Sequence, residues 1–277
     1  MAETKTKNVV AELTEVDQNN VLSVFGKNYV IPKSWGELTD SYIWGWIEAI
    51  RLGVNQKEFL QFILIYAIGI KKELNDKLET LSKKDKTTVL SELFRASELL
   101  SFMLGENGLS FNEKKVYKGM TTPNTGLTNF TAIEFILSTT YFKQFGETGE
   151  VEYLNKLCSI LLRASQKKDR KDYSEAEEHY SLCKVKELTI QERLIIWKMF
   201  EGEFIALAKQ YQDIFSSKDE QEEISYPYDL ITNLAGDKFG TIEEVEKRNI
   251  HILFQYIMQK NKEVQEAENK NNNDELG

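Results

Sequence analysis

The stretch LAGDKFGTIEEVEKRNIHILF, Leu234–Phe254, holds a glycine-bracketed loop, an acidic run and His251, one of 2 histidines in the chain. It can be read as the edge of an active site or as the punctuation between two helices, and helix chemistry favours the second. Gly236 follows a helical pattern that includes Leu230, Ile231 and Leu234, where glycine supplies the left-handed backbone that stops a helix. Thr241 and Glu244 then stand at cap and N3 spacing. The threonine oxygen can accept from the N3 amide while the glutamate reaches back to the cap's own N–H. Acidic side chains in that first turn also suit the positive end of the helix dipole. His251, between Ile250 and Ile252 with Phe254 and Tyr256 nearby, reads as a partly buried side chain bonded to a carbonyl.

The same start signal occurs twice upstream, as TAIE from Thr131 to Glu134 and TIQE from Thr189 to Glu192, and each should begin a helix. Between them EVEYLNKLCSILLRA, Glu150 to Ala164, has the spacing of an amphipathic helix. In the first half, Asn55 can cap a helix with Glu58 at N3, and Phe59, Phe62, Ile63, Tyr66, Ala67 and Ile70 fall on one face. Asp85 can open another, with Leu90, Leu93, Phe94, Leu99, Leu100 and Met103 as its apolar positions. Only 3 prolines interrupt the chain, which permits long helices.

One segment departs from this pattern. In VLSVFGKNYVI, Val21 to Ile31, β-branched and aromatic residues flank Gly26-Lys27, and Gly26 at the first loop position permits the positive φ of a two-residue hairpin turn. Pro32, lacking an N–H, ends the second strand. The expected fold is therefore mainly α: a multi-helix globular domain with a small N-terminal β-hairpin. The expected organisation is a disordered N-terminus over 1–18, a hairpin plus helical lobe over 19–105, a loop over 106–128, a second helical lobe over 129–263 and a disordered tail over 264–277. Three shared caps are recurrent helix chemistry and do not make a repeat.

The 277 residues are 41% hydrophobic, enough for a real core. Lys and Arg total 35 against 44 Asp and Glu, a net charge of −9, so counterion release gives no general affinity for nucleic acid. The basic run KKDRK, Lys167 to Lys171, is interrupted by Asp169 and reads as a solvated loop. The 2 cysteines, Cys158 and Cys183, are too few for a disulfide framework and fit a reducing, cytoplasmic setting. MAETKTKNVV has no signal-peptide core, and the apolar run Phe59 to Ile70 is well short of the roughly 20 residues of a bilayer crossing. No membrane association is expected.

Spacing offers few reactive constellations. Glu175, His179 and Cys183 fall at i, i+4 and i+8, the best ligand line in the chain, but no HExxH or CxxC accompanies them. There is no GxSxG elbow and no phosphate-binding glycine fingerprint. No catalytic residue, metal site or cofactor is assigned, although distant residues could still converge in a helical enzyme. The aromatic cluster Trp35, Tyr42, Trp44 and Trp46 is the candidate partner-binding surface, since tryptophan is enriched among interface anchors. Trp44 and Trp46, two apart, cannot share a helical face, so at most part of the cluster is core.

Four stretches, GKNYVIPKSWGELT, TGLTNFTAIEFILSTTYFKQF, YLNKLCSILLR and LAGDKFGTIEEVEKRNIHILFQYI, resemble in order and spacing the tail-assembly chaperone-like proteins of tailed-phage and prophage tail modules. The resemblance spans roughly residues 21 to 262. It implies a helical protein, working in the cytoplasm of an infected or lysogenic host cell, that keeps a long apolar tape-measure helix from aggregating. Its partner would be a long helical tail protein, with homo-oligomerisation compatible. The alternative is a structural virion component such as a connector or tail subunit.

Overall fold

In the computed structural model, which describes residues 20–111, 116–166, 169–215, 232, 234–236 and 238–274, the residues flanking Phe25-Gly26 pair as strands β1 (Val21–Val24) and β2 (Lys27–Val30). The stretch 1–18, expected to be disordered, lies outside the described residues. The turn is displaced by one residue from its expected place: Val24 pairs with Lys27, so the loop is Phe25-Gly26 and Gly26 takes the second position. Both loop residues have positive φ, 51° and 75°, as the hairpin twist requires. The strained Phe25 is held under the Lys77 ammonium, 4.0 Å above its ring.

The chain divides into two compact units between Asn107 and Gly108. The first carries the hairpin and four helices, α1 (Asp40–Arg51), α2 (Gln56–Ala67), α3 (Lys71–Thr80) and α4 (Lys83–Ser97), with a 3-10 segment Glu98–Leu104 continuing α4. Leu22 and Val24 of β1 join Ile43, Ile63, Leu64, Leu93 and Leu100 in its core. Helices α1 and α2 cross closely because Gly45 has no side chain; a Cβ there would lie 3.2 Å from the Ile63 carbonyl. Asn55 caps α2 by accepting from the Lys57 amide. Ser82 caps α4 in place of Asp85, which sits at N3 and donates its amide to the serine oxygen. The apolar stripe expected on α4 is wider than its buried face: Leu93, Leu100 and Met103 are buried, whereas Leu90 and Phe94 are 40% and 49% exposed.

The second unit contains α5 (Ala132–Thr148), α6 (Val151–Leu161), α7 (Glu175–Val185), α8 (Ile190–Gln210), the short α9 (Gln212–Phe215) and α10 (Ile242–Glu246), and α11 (Ile250–Asp274). All three capping boxes form, Thr131 with Glu134, Thr189 with Glu192 and Thr241 with Glu244. Thr189→Ala removes one acceptor from the solvent-facing start of the longest interior helix and is expected to cost about 1 kcal/mol in chemical denaturation, with little change for Thr189→Ser.

A second sheet, unexpected from sequence, runs β3 (Val116–Tyr117), β4 (Met120–Thr121), β5 (Arg163–Gln166) and β6 (Asp169–Arg170), antiparallel throughout. It ends α6 at Leu161, short of the expected Ala164, because Arg163 and Ala164 pair with Thr121 and Met120. Part of the expected KKDRK loop is thus β6, while Lys167 and Lys168 lie outside the described residues. The Arg163 side chain is fully buried and faces the Glu134 carboxylate at 3.9 Å, so the first capping glutamate also carries a buried ion pair.

Two further expectations are corrected. Gly236 does not close a helix as a left-handed cap. At φ 143° it exchanges both backbone hydrogen bonds with Gly240, at 2.9 and 2.7 Å, and this bridge closes the loop before Thr241. Leu230 and Ile231 lie outside the described residues. Helix α11 continues to Asp274, past Val264 where disorder was expected. Its first turns are anchored by buried Ile250, Leu253 and Phe254, and propagating a nucleated helix is cheap compared with starting one.

Candidate functional site

Helix α1 sends its aromatic residues in two directions. Tyr42 and Trp46 point into the core of the first unit, 5% and 6% exposed, and burial pushes the Tyr42 hydroxyl up to about 12. Trp35 is half-buried, edge-on to Trp46 at 5.3 Å and to Phe102 at 5.5 Å. Trp44 lies on another face of α1, half-buried, and its indole Nε1–H donates to the Tyr66 hydroxyl of α2 at 2.9 Å. Phe62, one turn before Tyr66, stacks on it at 5.7 Å. The four residues selected by sequence therefore do not form one surface. Trp44 instead joins Phe62 and Tyr66, two of the residues that the helical period places on one face of α2.

This aromatic array is continued on α1 by Glu48 and Arg51, four and seven residues after Trp44. Arg51 donates twice to one Glu48 oxygen, at 3.0 and 2.6 Å, which fixes the planar guanidinium on the same face of α1 as Trp44. The result is an ordered Trp–Tyr–Phe surface with an arginine at its edge. Glu48 is mostly buried, so the charge presented outward is that of Arg51.

The second unit contains a different kind of centre. Midway along α8, Glu203 is only 2% exposed, and its two oxygens accept from the Phe111 and Gly126 amides, both at 2.7 Å. Burial raises its carboxyl above the usual range against the opposing pull of those two N–H donors. The Gly126 carbonyl in turn takes a hydrogen bond from His251 Nε2 at 2.7 Å, and His251 Nδ1 meets the Tyr211 hydroxyl at 2.8 Å. A carbonyl can only accept, so Nε2 carries a proton, and in the neutral ring Tyr211 donates to Nδ1. Gly126 and the buried Leu127 both have positive φ, 69° and 55°, a conformation that is costly for the leucine and that this clasp holds in place.

The partly buried, carbonyl-bonded His251 is as its sequence context suggested. Sequence alone does not single out Glu203 and Gly202, although a glycine inside the helical run FEGEF is a legible sign of close backbone approach. Both oxygens of Glu203 and both nitrogens of His251 are engaged within the fold, so the centre as built anchors the 111–126 segment.

The remaining candidates carry less. Glu175, His179 and Cys183 lie along α7, but among the described residues no group of three such side chains could hold a metal ion. Cys158 is fully buried, donates to the Arg193 carbonyl at 3.7 Å, and burial pushes its thiol far up, which disfavours the nucleophilic thiolate. Among the described residues no helix is long and apolar enough to cross a membrane. No protein-family model, curated protein or solved structure matches the chain.

Proposed function

We propose that this chain is a non-enzymatic tail-assembly protein that binds the apolar helices of a tape-measure protein in the cytoplasm of an infected or lysogenic host cell, with the α1–α2 aromatic face as its grip. The observation that carries the reading is the Trp44–Tyr66 hydrogen bond with Phe62 stacked beside it, which pre-organises a half-buried aromatic surface on the α1 face that also carries Arg51. Trp, Tyr and Arg dominate interface hot spots because they offer large contact areas at little entropic cost. A client helix would lay its apolar stripe across such a face. The client class rests on the sequence resemblance. The net charge of −9 favours the solubility of the complex.

Co-expression with a tape-measure protein tests this. The client is expected to move into the soluble fraction and to co-purify, and Trp44→Ala combined with Tyr66→Ala should lower its recovery about tenfold, the effect of losing one hot-spot anchor. A client equally insoluble with and without this chain would sink the reading. Mass spectrometry of purified particles should find the chain absent; stoichiometric presence would make it a structural component instead.

A further inference from the structure

Helix α4 carries a second exposed face, on the same unit but built of different chemistry. Lys83, Thr87, Leu90 and Phe94 of α4, with Glu98 where the 3-10 segment takes over, succeed one another at spacings of four, three, four and four, so they form one stripe. All five are exposed, with Leu90 and Phe94 the apolar centre. Spacings of four and three are those of a helix–helix seam. The stripe is positively charged at its start and negatively charged at its end, and its four outer positions are symmetric about a point midway between Leu90 and the exposed Ser91. Rotating the helix by half a turn about that point places Lys83 over Glu98, Thr87 over Phe94 and Leu90 over Ser91.

We infer that two copies of this chain pair through α4, antiparallel, with Leu90 and Phe94 of each copy at the centre and a Lys83–Glu98 ion pair at each end. The interface is isologous, so every charged contact occurs twice. The separation of the two ends, 15 residues or about 22 Å of helix, leaves room for the apolar centre between the ion pairs. The small residues Thr87 and Ser91 receive the larger Phe94 and Leu90. Arg95, exposed on the flank, is engaged by Glu92 at 3.8 Å and lies off the seam. Four turns of one helix from each copy bury less than the roughly 1,200 Å² of a standard stable interface, so the dimer is transient and concentration-dependent. Its surface is separate from the aromatic face of α1 and α2, and the inference does not depend on the proposed client.

Sedimentation equilibrium of the full chain, without any client, tests it. The weight-average mass should climb from 32.1 kDa toward twice that value as concentration rises, and more steeply at low salt. Lys83→Glu alone and Glu98→Lys alone each place like charges at both ends and should weaken self-association about tenfold. An equimolar mixture of the two single variants should recover it, because each copy then meets its complement, and so should the double charge swap in one chain. Both positions are exposed helix ends where the new charge suits the helix dipole, so loss of the fold is not expected to confuse the result. A chain that stays at 32.1 kDa at every concentration, or a dimer indifferent to these swaps, would overturn the inference and leave the α4 face to a different partner.

Discussion

Glu203→Ala is expected to destabilise the second unit by about 3–5 kcal/mol, since it strands two buried amides at once and each unsatisfied donor costs about 1–3 kcal/mol. The amides in question, Phe111 and Gly126, belong to segments 77 or more residues away in sequence, so the glutamate is what ties that loop to the middle of α8. Hydrogen exchange is the direct readout: protection at Phe111 and Gly126 should fall with the loss of stability. Glu203→Gln should cost about half as much, because an amide side chain keeps one oxygen acceptor but turns an NH2 group toward the other N–H.

The pH dependence has a definite sign. Burial raises the Glu203 carboxyl in the folded chain, so its contribution is fully present below the unfolded carboxyl value of about 4.3 and is lost as pH rises through the folded value. The gap in stability between the wild-type chain and Glu203→Ala should therefore widen from pH 7 toward pH 4. A gap that narrows on acidification would mean that the two N–H donors outweigh desolvation.

Local chemistry explains why some features were legible in the sequence. A capping box is decided within four residues, and all three that the sequence predicts form. The hairpin was also legible, but its turn was displaced by one residue because a left-handed Phe25 is improbable without the Lys77 ammonium that the fold brings over it. The second sheet pairs Met120 with Ala164, so neither strand is identifiable from its own neighbours. Strands β3, β4 and β6, at two residues each, are also too short to show an alternating pattern.

The functional candidates follow the same rule. Phe62 and Tyr66 obey the helical period yet belong to the face shared with Trp44, because periodicity identifies a stripe without saying which neighbour covers it. Glu203 is chemically indistinguishable from the other glutamates in a chain with 29% charged residues. What separates it is the loop that closes over it, and that loop leaves only one local mark, the glycine just before it.

That glycine yields the other large expected effect. In an ordinary helix interior, Gly→Ala gains up to about 1 kcal/mol. At Gly202 the same change should instead cost about 3 kcal/mol, because the new Cβ would overlap the Leu109 carbonyl oxygen and lie 2.9 Å from the Leu109 nitrogen. These are backbone atoms, which cannot rotate away as a side chain would. The loop has to retreat, and Phe111, two residues on, would be drawn off the Glu203 carboxylate. Gly202→Ala and Glu203→Ala thus act on one contact from two sides, and their combined cost in chemical denaturation should fall short of the sum of the single costs. Full additivity would show that the glycine and the glutamate hold the loop independently. A stabilised Gly202→Ala would show that the 109–111 backbone does not lie against α8 at all.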